Sequence, residues 1–227
     1  MAQTADFYPV DGNGLHLGLI PDGGRRWAAI QKVSLKKSYQ TSGNLITDFL
    51  PELIKNNISE LSIYLSSAYN FKRESVEIEA FVDEIKEAIS NRLTSLSHQH
   101  QIYFKIVGRP QSQPGIFDMK DMNLHQIQTD KAVLKVNLCF QYDPFDELTH
   151  AIQASKNGSN LVNHLWIQRP LDLVIRSGGA NLLSNFLPLQ SAYARLYFSD
   201  KLFNDLVWND IFTYIDHYKK LTKKYGE

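Results

Sequence analysis

Short apolar runs alternate along this chain with segments that carry apolar residues at helical spacing. Runs such as LHLGLI are apolar at almost every position, which is typical of strands buried on both faces of a parallel sheet. The predicted strands are residues 15–20, 59–66, 102–108, 133–141, 171–176 and 194–198. The predicted helices are residues 24–33, 41–56, 75–99, 144–156, 158–166, 184–193 and 207–224. The alternation indicates an α/β fold with helices on both faces of the sheet.

The pattern makes three further predictions, about an apolar helix stripe, a proline within a helix and an irregular segment. The helix 75–99 carries one apolar stripe, which either packs in the core or lines an apolar substrate cavity. The stripe consists of Ile78, Phe81, Ile85, Ile89 and Leu93. Pro51 is expected to kink or restart the helix 41–56, and residues 109–132 are expected to form an irregular segment. The chain contains no repeat or linker, so residues 1–227 are expected to form a single domain.

The composition narrows the class of protein. Lysine plus arginine equals aspartate plus glutamate at 24 each, so no overall charge favours nucleic acid or an anionic membrane. The single cysteine, Cys139, lies in an apolar run, which predicts a buried thiol in a reducing compartment. From the apolar pattern and the first residues of the sequence we expect no transmembrane segment and no signal peptide. We therefore expect a cytoplasmic protein.

The segment IPDGGRRW, residues 20–27, is the strongest chemical signal in the chain. Pro21 and Asp22 end a predicted strand, and two glycines and two arginines follow where a helix would begin. Such a turn binds anions through backbone N–H groups, the helix dipole and guanidinium groups. A carboxylate fits an anion site when a divalent cation joins it to the anion. The segment therefore predicts a Mg²⁺–diphosphate site with Asp22 as the metal ligand.

Two further polar segments follow predicted strands. SSAYNFKR, residues 66–73, offers Ser67, Asn70 and Arg73, and IRSGGANLLSN, residues 175–185, offers Arg176 and a second glycine turn. We expect that second turn to bind an anion and Ser184 to cap the next helix. RSGG alone is also compatible with an ordinary loop. Because ligands bind at the carboxyl ends of parallel strands, the three segments together predict two phosphate-type groups side by side.

These motifs together resemble the cis-prenyltransferase family, also called the undecaprenyl diphosphate synthase-like family. The resemblance rests on LGLIPDGGRRWA (17–28) and DLVIRSGGANLLSNFLPLQSAYARLYFSD (172–200), and it spans nearly the whole chain. SSAYNFKR looks like the family's Ser-Ser-Glu-Asn-Trp-x-Arg stretch. The resemblance implies a six-stranded, mostly parallel sheet surrounded by helices, and a homodimer.

The resemblance also implies roles for individual residues. Asp22 would hold Mg²⁺ and act in catalysis together with Arg26 and Asn70. The first, allylic diphosphate would lie on the turn, and the second on later residues. The implied substrate-binding residues are Gly23, Gly24, Arg25, Trp27, Ser67, Phe71, Arg73, Arg176, Ser184 and Arg195, in addition to Arg26.

The chain departs from the family pattern at seven positions. The usual residue is asparagine at Gly24, histidine at Gln40, glutamate at Tyr69, tryptophan at Phe71, glutamate at Ala180, arginine at Leu182 and a metal-binding carboxylate at Arg195. The first site is thus kept and the second is rebuilt. From this we expect Arg195 to balance the charge of the second diphosphate directly.

A kept first site beside an altered second site favours a noncanonical enzyme that uses dimethylallyl diphosphate twice. Its product would be a branched C10 diphosphate of the lavandulyl or cyclolavandulyl type. The alternatives are ordinary cis-chain elongation with isopentenyl diphosphate, and cyclisation of a single allylic diphosphate. A noncatalytic subunit ranks last, because such subunits typically lose the aspartate of the first motif.

Overall fold

The computed structural model of the protein describes residues 14–68, 81–84, 87, 92–108, 129–155 and 160–221. Its strands are β1 (Leu15–Ile20), β2 (Ile58–Tyr64), β3 (Ile102–Val107), β4 (Leu134–Cys139), β5 (Leu173–Arg176) and β6 (Arg195–Phe198). They form one sheet in the order β3-β4-β2-β1-β5-β6, in which every neighbouring pair is parallel. The α/β class and all six predicted strands are confirmed, and the sheet is wholly rather than mostly parallel.

Helices of the described residues connect and cover these strands. They are α1 (Gly24–Gln31), α2 (Leu35–Lys55), α3 (Thr94–His100), α4 (Pro144–Ala154) and α5 (Trp208–Lys220). Short 3₁₀ turns occur at Thr129–Lys131, Leu161–His164 and Phe203–Asp205. Of the predicted helix 158–166, the described residues 160–166 form a single 3₁₀ turn. Across the described part of the chain, no helix is both long and apolar enough to cross a membrane.

The predicted helix 184–193 is wrong. This segment forms successive turns, because Ser184, Asn185 and Leu187 have positive φ angles of 52°, 64° and 42°. Left-handed residues cannot continue a right-handed helix. Ser184 therefore caps no helix, and its hydroxyl has a different partner at the candidate site.

Pro51 does not break its helix, since α2 continues through it to Lys55. The apolar side of this helix packs into the main core through Phe49, Leu50 and Leu53, and that burial offsets the hydrogen bond that proline cannot make. The apolar stripe predicted for helix 75–99 falls largely outside the described residues. Phe81 and Leu93 are described, and both pack with the core.

The core lies on both faces of the sheet. One cluster centres on β1, β2, β3 and β4 with α2 and α5, and a smaller one joins the ends of the strands to the segment 183–187. Cys139 is fully buried and reduced, as predicted, and burial raises the pKa of its thiol. The sheet edge that bears the strand carboxyl ends is thereby held rigidly.

A buried histidine anchors the opposite, amino-terminal edge of the sheet. The Nδ1 atom of His16 lies 3.1 Å from the carbonyl oxygen of Pro170, and its Nε2 atom lies 2.8 Å from Ser62 Oγ. A carbonyl can only accept, so Nδ1 carries the proton and Nε2 accepts from the serine. Burial lowers the pKa of His16, which keeps the ring neutral.

We expect His16 to make stability pH-dependent. Below its ordinary pKa of 6.5 the unfolded chain takes up a proton that the folded chain refuses, so stability falls as the pH falls. Between pH 6.5 and 5.5 this loss is at most about 1 kcal/mol, measured as the free energy of unfolding in urea. His16→Gln should remove this part of the pH dependence, whereas the exposed control His98→Gln should keep it. Equal slopes in the two variants would contradict the assignment.

Candidate active site

The two strongest motifs meet at the carboxyl ends of neighbouring strands. β1 ends at Ile20 directly beside Arg176, the last residue of β5. The chain leaves β1 toward β2 on one side, and β5 lies on the other. Loops diverge at such a position and leave a crevice, which is where ligands bind in open parallel sheets. The structure therefore brings Asp22 and Arg176 together, although 154 residues separate them in sequence.

The backbone of Asp22 is held by two neighbouring segments. Its N–H donates to Ser177 Oγ (2.9 Å), and the same hydroxyl donates back to the Asp22 carbonyl oxygen (3.0 Å). That carbonyl oxygen also accepts from the N–H of Phe203 at 3.0 Å. The carboxylate is thus presented from a fixed backbone, and its side chain is 34% exposed.

Two glycines are required by the close approach of the chain around Asp22. Gly23 has φ 107°, and a Cβ there would lie 2.7 Å from a methyl group of Leu202. Gly178 has φ 86°, and a Cβ there would lie 2.7 Å from Arg26 Nη2 and 3.0 Å from the Asp22 carbonyl oxygen. Side chains at either position would push the turn open.

Helix α1 begins directly after this turn and carries both arginines on its exposed side. Its first intrahelical hydrogen bond runs from the N–H of Trp27 to the Gly23 carbonyl (2.8 Å). The backbone N–H groups before Trp27 belong to the first turn of the helix, where N–H groups have no acceptor within the helix. Arg26 Nη2 donates to the Gly178 carbonyl (2.8 Å) and lies 3.5 Å from Asp22 Oδ1. Trp27 Nε1 donates to Asp205 at 2.7 Å. The turn is therefore a rigid, positively charged cradle.

Arg176 joins this cradle to the segment after β5. Its Nη2 donates to Asp22 Oδ2 (2.8 Å), and its Nη1 donates to the Leu182 carbonyl (2.6 Å) and to Ser184 Oγ (2.7 Å). The side chain is 8% exposed. Ser184, predicted as a helix cap, is instead an acceptor for a buried guanidinium.

Tyr64, which the sequence reading missed, supports the same segment. Its hydroxyl donates to the Ser184 carbonyl at 2.9 Å and is hydrogen-bonded to Ser67. Burial raises the pKa of Tyr64 to about 12, so the hydroxyl keeps its proton. Ser67, which follows β2, is in this way linked to Ser184. Nothing in the local sequence distinguishes Tyr64 from an ordinary core tyrosine.

The second glycine turn, which we expected to bind an anion, has its backbone amides paired within the chain. The N–H groups of Ser177, Gly178 and Gly179 donate to the carbonyls of Ile20, Lys201 and Ser199. These three N–H groups are paired with carbonyls at the ends of the neighbouring strands, so in this structure none of the three is available to a ligand. The turn acts through its carbonyl instead, which holds Arg26.

Arg195 is not placed with the other candidate residues. It begins β6, is exposed, and pairs with Leu173 at the amino end of β5, three positions before the pair Arg176–Phe198. At about 3.3 Å per residue, its backbone lies about 10 Å below the site edge. Its strand position thus separates it from the Asp22 turn within one chain, and its expected role toward the second diphosphate stays a prediction. Asn70, Phe71 and Arg73 lie outside the described residues.

The side chains at this turn supply only some of the ligands that a magnesium ion needs. The part of the chain that the structure describes holds no group of three His, Cys, Asp or Glu side chains suited to a metal. Asp22 presents one carboxylate, with Oδ1 only loosely contacted by Arg26. Mg²⁺ is commonly held by one or two carboxylates together with substrate phosphates and water. Asp22 therefore fits a metal that arrives with a diphosphate.

A polar contact on the outer side of α1 was not predicted. The buried Ser38 Oγ donates to the Gly24 carbonyl at 2.8 Å, and Asn204 Nδ2 donates to that serine's Oγ at 2.9 Å. A Cβ at position 24 would lie 3.4 Å from Ser38 Oγ. That is an ordinary contact distance, so packing against α2 does not require glycine at this position. Ser38 and Asn204 hold the start of α1 in place.

We expect Asn204→Ala to weaken substrate binding more than turnover. Alanine removes the hydrogen bonds of the Asn204 side chain to Ser38 and Ser42. If about 1 kcal/mol of that loss is felt at the start of α1, the KM for the diphosphate substrate rises about fivefold. Thr41→Ala, which removes an exposed hydroxyl on the same helix α2, is the control and should leave KM unchanged. Steady-state kinetics measure both; an unchanged KM in the Asn204 variant would refute the positioning role.

Comparison with known proteins identifies the family. The family model described as "Putative undecaprenyl diphosphate synthase" matches residues 20–226. Isoprenyl transferase from Rickettsia typhi is 31% identical over 221 residues, which covers 93% of this chain and 97% of that protein. Its counterpart from Rickettsia prowazekii is 30% identical with the same coverage.

Solved structures show the same fold. The crystal structure of lavandulyl diphosphate synthase from Lavandula x intermedia in complex with dimethylallyl diphosphate superposes with a TM-score of 0.84 at 22% identity. It covers 95% of this chain and 99% of the other. The six-stranded architecture is therefore that of the cis-prenyltransferases, and the chain belongs to the undecaprenyl diphosphate synthase family of prenyltransferases.

Proposed function

We propose that this prenyltransferase ionises dimethylallyl diphosphate on the Asp22–Arg26 turn and couples it head to middle to a second C5 diphosphate. The product is a branched C10 diphosphate of the lavandulyl type, or its cyclised form. The observation that carries the proposal is the joining of two unlike halves by Arg176. One half is the turn that keeps Asp22, Arg25 and Arg26, and the other is a segment with Leu182 exposed where the family has an arginine.

The chain's own residues suit the departure of a diphosphate. The first turn of α1 directs its amides and the positive end of the helix dipole toward an anion. Arg25 and Arg26 lie exposed at the same place, and Gly178 holds the Arg26 guanidinium at its outer edge. Preorganised positive groups of this kind stabilise charge that develops on a leaving group.

Asp22 is the residue that would hold Mg²⁺, together with oxygens of the substrate diphosphate. When bound, the metal would supply further neutralisation of the leaving diphosphate. Asp22 Oδ1 is the oxygen better placed for this, since Oδ2 is paired with Arg176.

The coupling step balances without any further reactant. The C–O bond of the donor breaks and its electron pair leaves on the diphosphate. The π electrons of the acceptor's double bond then form the new C–C bond to the allylic cation. A proton lost from the acceptor portion restores a double bond, and the released diphosphate is the base that needs no additional group. The hydroxyls of Ser67 and Ser184 are the alternative proton acceptors within the chain, and Ser184 Oγ already accepts a hydrogen bond from Arg176.

The segment after β5, where the acceptor diphosphate would bind, lacks two charged side chains that the family has there. Ala180 and Leu182 stand where the family has glutamate and arginine, and the amides of the glycine turn are occupied by backbone carbonyls. Arg195, about 10 Å below this edge, does not restore the charge within one chain. Isopentenyl and dimethylallyl diphosphate carry the same diphosphate, so these changes alter how an acceptor is held, and we propose that the altered position favours attack by the internal double bond of dimethylallyl diphosphate.

Ordinary cis-chain elongation is the second candidate, favoured by identities of 30–31% to proteins named isoprenyl transferase. Cyclisation of a single allylic diphosphate would use the same Asp22 turn without an acceptor. A noncatalytic role is disfavoured because Asp22 is present and its backbone is held by Ser177 and Phe203.

We further propose a homodimer that packs along β6. This strand is the edge of the sheet, and its Leu196 is 43% exposed, next to Tyr193 at 61%. An open strand edge with exposed apolar side chains is a surface that proteins usually cover. Sedimentation equilibrium should give twice the chain mass, and Leu196→Asp should reduce it to one chain.

The experiment that tests the function supplies substrates separately. Purified protein with Mg²⁺ is given dimethylallyl diphosphate alone, and then dimethylallyl plus isopentenyl diphosphate. We expect diphosphate release from the first mixture at a rate that isopentenyl diphosphate does not increase. Strict dependence on isopentenyl diphosphate would select chain elongation instead.

A further inference from the structure

One guanidinium connects the proposed metal ligand with the segment that carries the altered acceptor residues. Arg176 is 7% exposed, so its charge is almost wholly withdrawn from water. Its Nη2 holds Asp22 Oδ2, and its Nη1 holds Leu182 and Ser184. Among the described residues, its buried Nε has no hydrogen-bond partner. A buried donor without a partner is costly, and an anion oxygen would satisfy it.

The charges around Asp22 disfavour a metal in this arrangement. Arg176 neutralises the carboxylate at 2.8 Å, and Arg26 Nη2 lies 3.5 Å from its other oxygen. One negative and two positive side chains leave the immediate surroundings with net charge +1. A divalent cation is repelled by such a group unless its counter-charge arrives with it.

We propose that Arg176 is a positioning residue that keeps Asp22 paired until a diphosphate binds beside it and takes over the guanidinium. The carboxylate is then released to a divalent cation. This inference rests on the proposed function, since it assigns the metal to Asp22. Because binding linkage is reciprocal, the divalent cation and this diphosphate each raise the protein's affinity for the other by the same factor.

The segment 182–187 is held in place on both sides during this exchange of partners. Ser184, Asn185 and Leu187 all have left-handed backbone conformations, and the segment is fastened by Arg176 from one side and by the Tyr64 hydroxyl from the other. When Arg176 turns toward an anion, Tyr64 still holds the Ser184 carbonyl at 2.9 Å. The acceptor segment therefore stays in place while the guanidinium changes partner.

The test measures Mn²⁺ binding to the full chain without any diphosphate, by the loss of the free Mn²⁺ signal in electron paramagnetic resonance. Arg176→Gln removes the charge and keeps a donor for Ser184, so Mn²⁺ affinity should rise by about tenfold, within the usual range of coupling between sites. Arg176→Lys keeps the charge and should stay within about twofold of the wild type. An affinity of R176Q that equals or falls below that of the wild type overturns the proposal.

Two controls separate this inference from the proposed function. Arg26→Gln removes the more distant and exposed arginine, so its effect should be clearly smaller than that of R176Q. Asp22→Asn combined with R176Q should abolish the added Mn²⁺ binding. If the double variant binds Mn²⁺ as R176Q does, the metal is not at Asp22 and both proposals fail. If it does not bind, and R176Q shows no gain over the wild type, only the exchange role of Arg176 fails.

A measurement on the wild type covers the case in which R176Q does not fold. Mn²⁺ binding is titrated with and without an unreactive thiolo analogue of dimethylallyl diphosphate, and Asp22→Asn in parallel reports the metal held by the analogue itself. We expect the analogue to raise Mn²⁺ affinity at least fivefold above that background. Additive binding, with no increase, overturns the proposal.

Discussion

Asp22→Asn should lower kcat on the order of 10³-fold while the protein remains folded, because it removes the charge that holds a metal against the leaving diphosphate. Asparagine has nearly the same shape, and its carbonyl oxygen can still accept from Arg176. The backbone contacts to Ser177 and Phe203 do not involve the side chain. Product formation under saturating substrate measures the effect, and a thermal melt confirms that the fold is kept.

Asp205→Asn is the matched control for that substitution. Asp205 is a carboxylate close to the same turn, where it accepts from Trp27 Nε1 at 2.7 Å. An amide oxygen can replace it as acceptor, so the control should keep kcat within about threefold. Activity of the Asp22 variant within tenfold of the wild type would remove Asp22 from the catalytic role.

Glu147→Ala should destabilise the protein by about 3–4 kcal/mol, the largest stability effect that we expect from one polar side chain. Glu147 lies on α4 and is fully buried. Its carboxylate accepts from the Tyr142 hydroxyl (2.5 Å), the N–H of Ile167 (3.0 Å) and Gln190 Nε2 (3.2 Å). Alanine leaves the first two donors buried without an acceptor and opens a cavity.

Two variants bracket this result. Glu147→Gln keeps an acceptor for Ile167 and should recover about half of the lost stability. Glu52→Ala removes an exposed partner of Lys55 on α2, and such surface pairs contribute less than about 1 kcal/mol. Urea unfolding measures all three. A loss below 1 kcal/mol for Glu147→Ala would mean that α4 and the segment through Gln190 are held together by apolar packing alone.

The strands were predictable because buried parallel strands are continuously apolar. β1 and β5 therefore stand out as LHLGLI and LVIR, and the polar residues that follow them had to meet at one edge of the sheet. The positions of the strand ends alone therefore place Asp22 and Arg176 in one candidate site. That placement needs no knowledge of how either side chain is oriented.

Predictions failed where distant contacts decide the local structure. Residues 184–193 include Leu, Gln and Ala, but Pro188 at the centre of the segment disfavours a continuous helix. Arg176, Tyr64 and Glu147 then bind this segment from three other elements and favour turns. The RSGG turn looks like an anion site until the segment after β6 occupies its amides. Arg195 aligns with a metal-binding position of the family, but its place in β6 is set by strand register, which local sequence does not reveal.

The carbon skeleton of the product made from dimethylallyl diphosphate alone tests the central claim most directly. The protein is incubated with Mg²⁺ and this single substrate, the diphosphates are removed enzymatically, and the alcohols are analysed by gas chromatography with mass spectrometry. We expect a branched or cyclised C10 alcohol. A C5 alcohol alone, with linear longer products that form only when isopentenyl diphosphate is added, would contradict it.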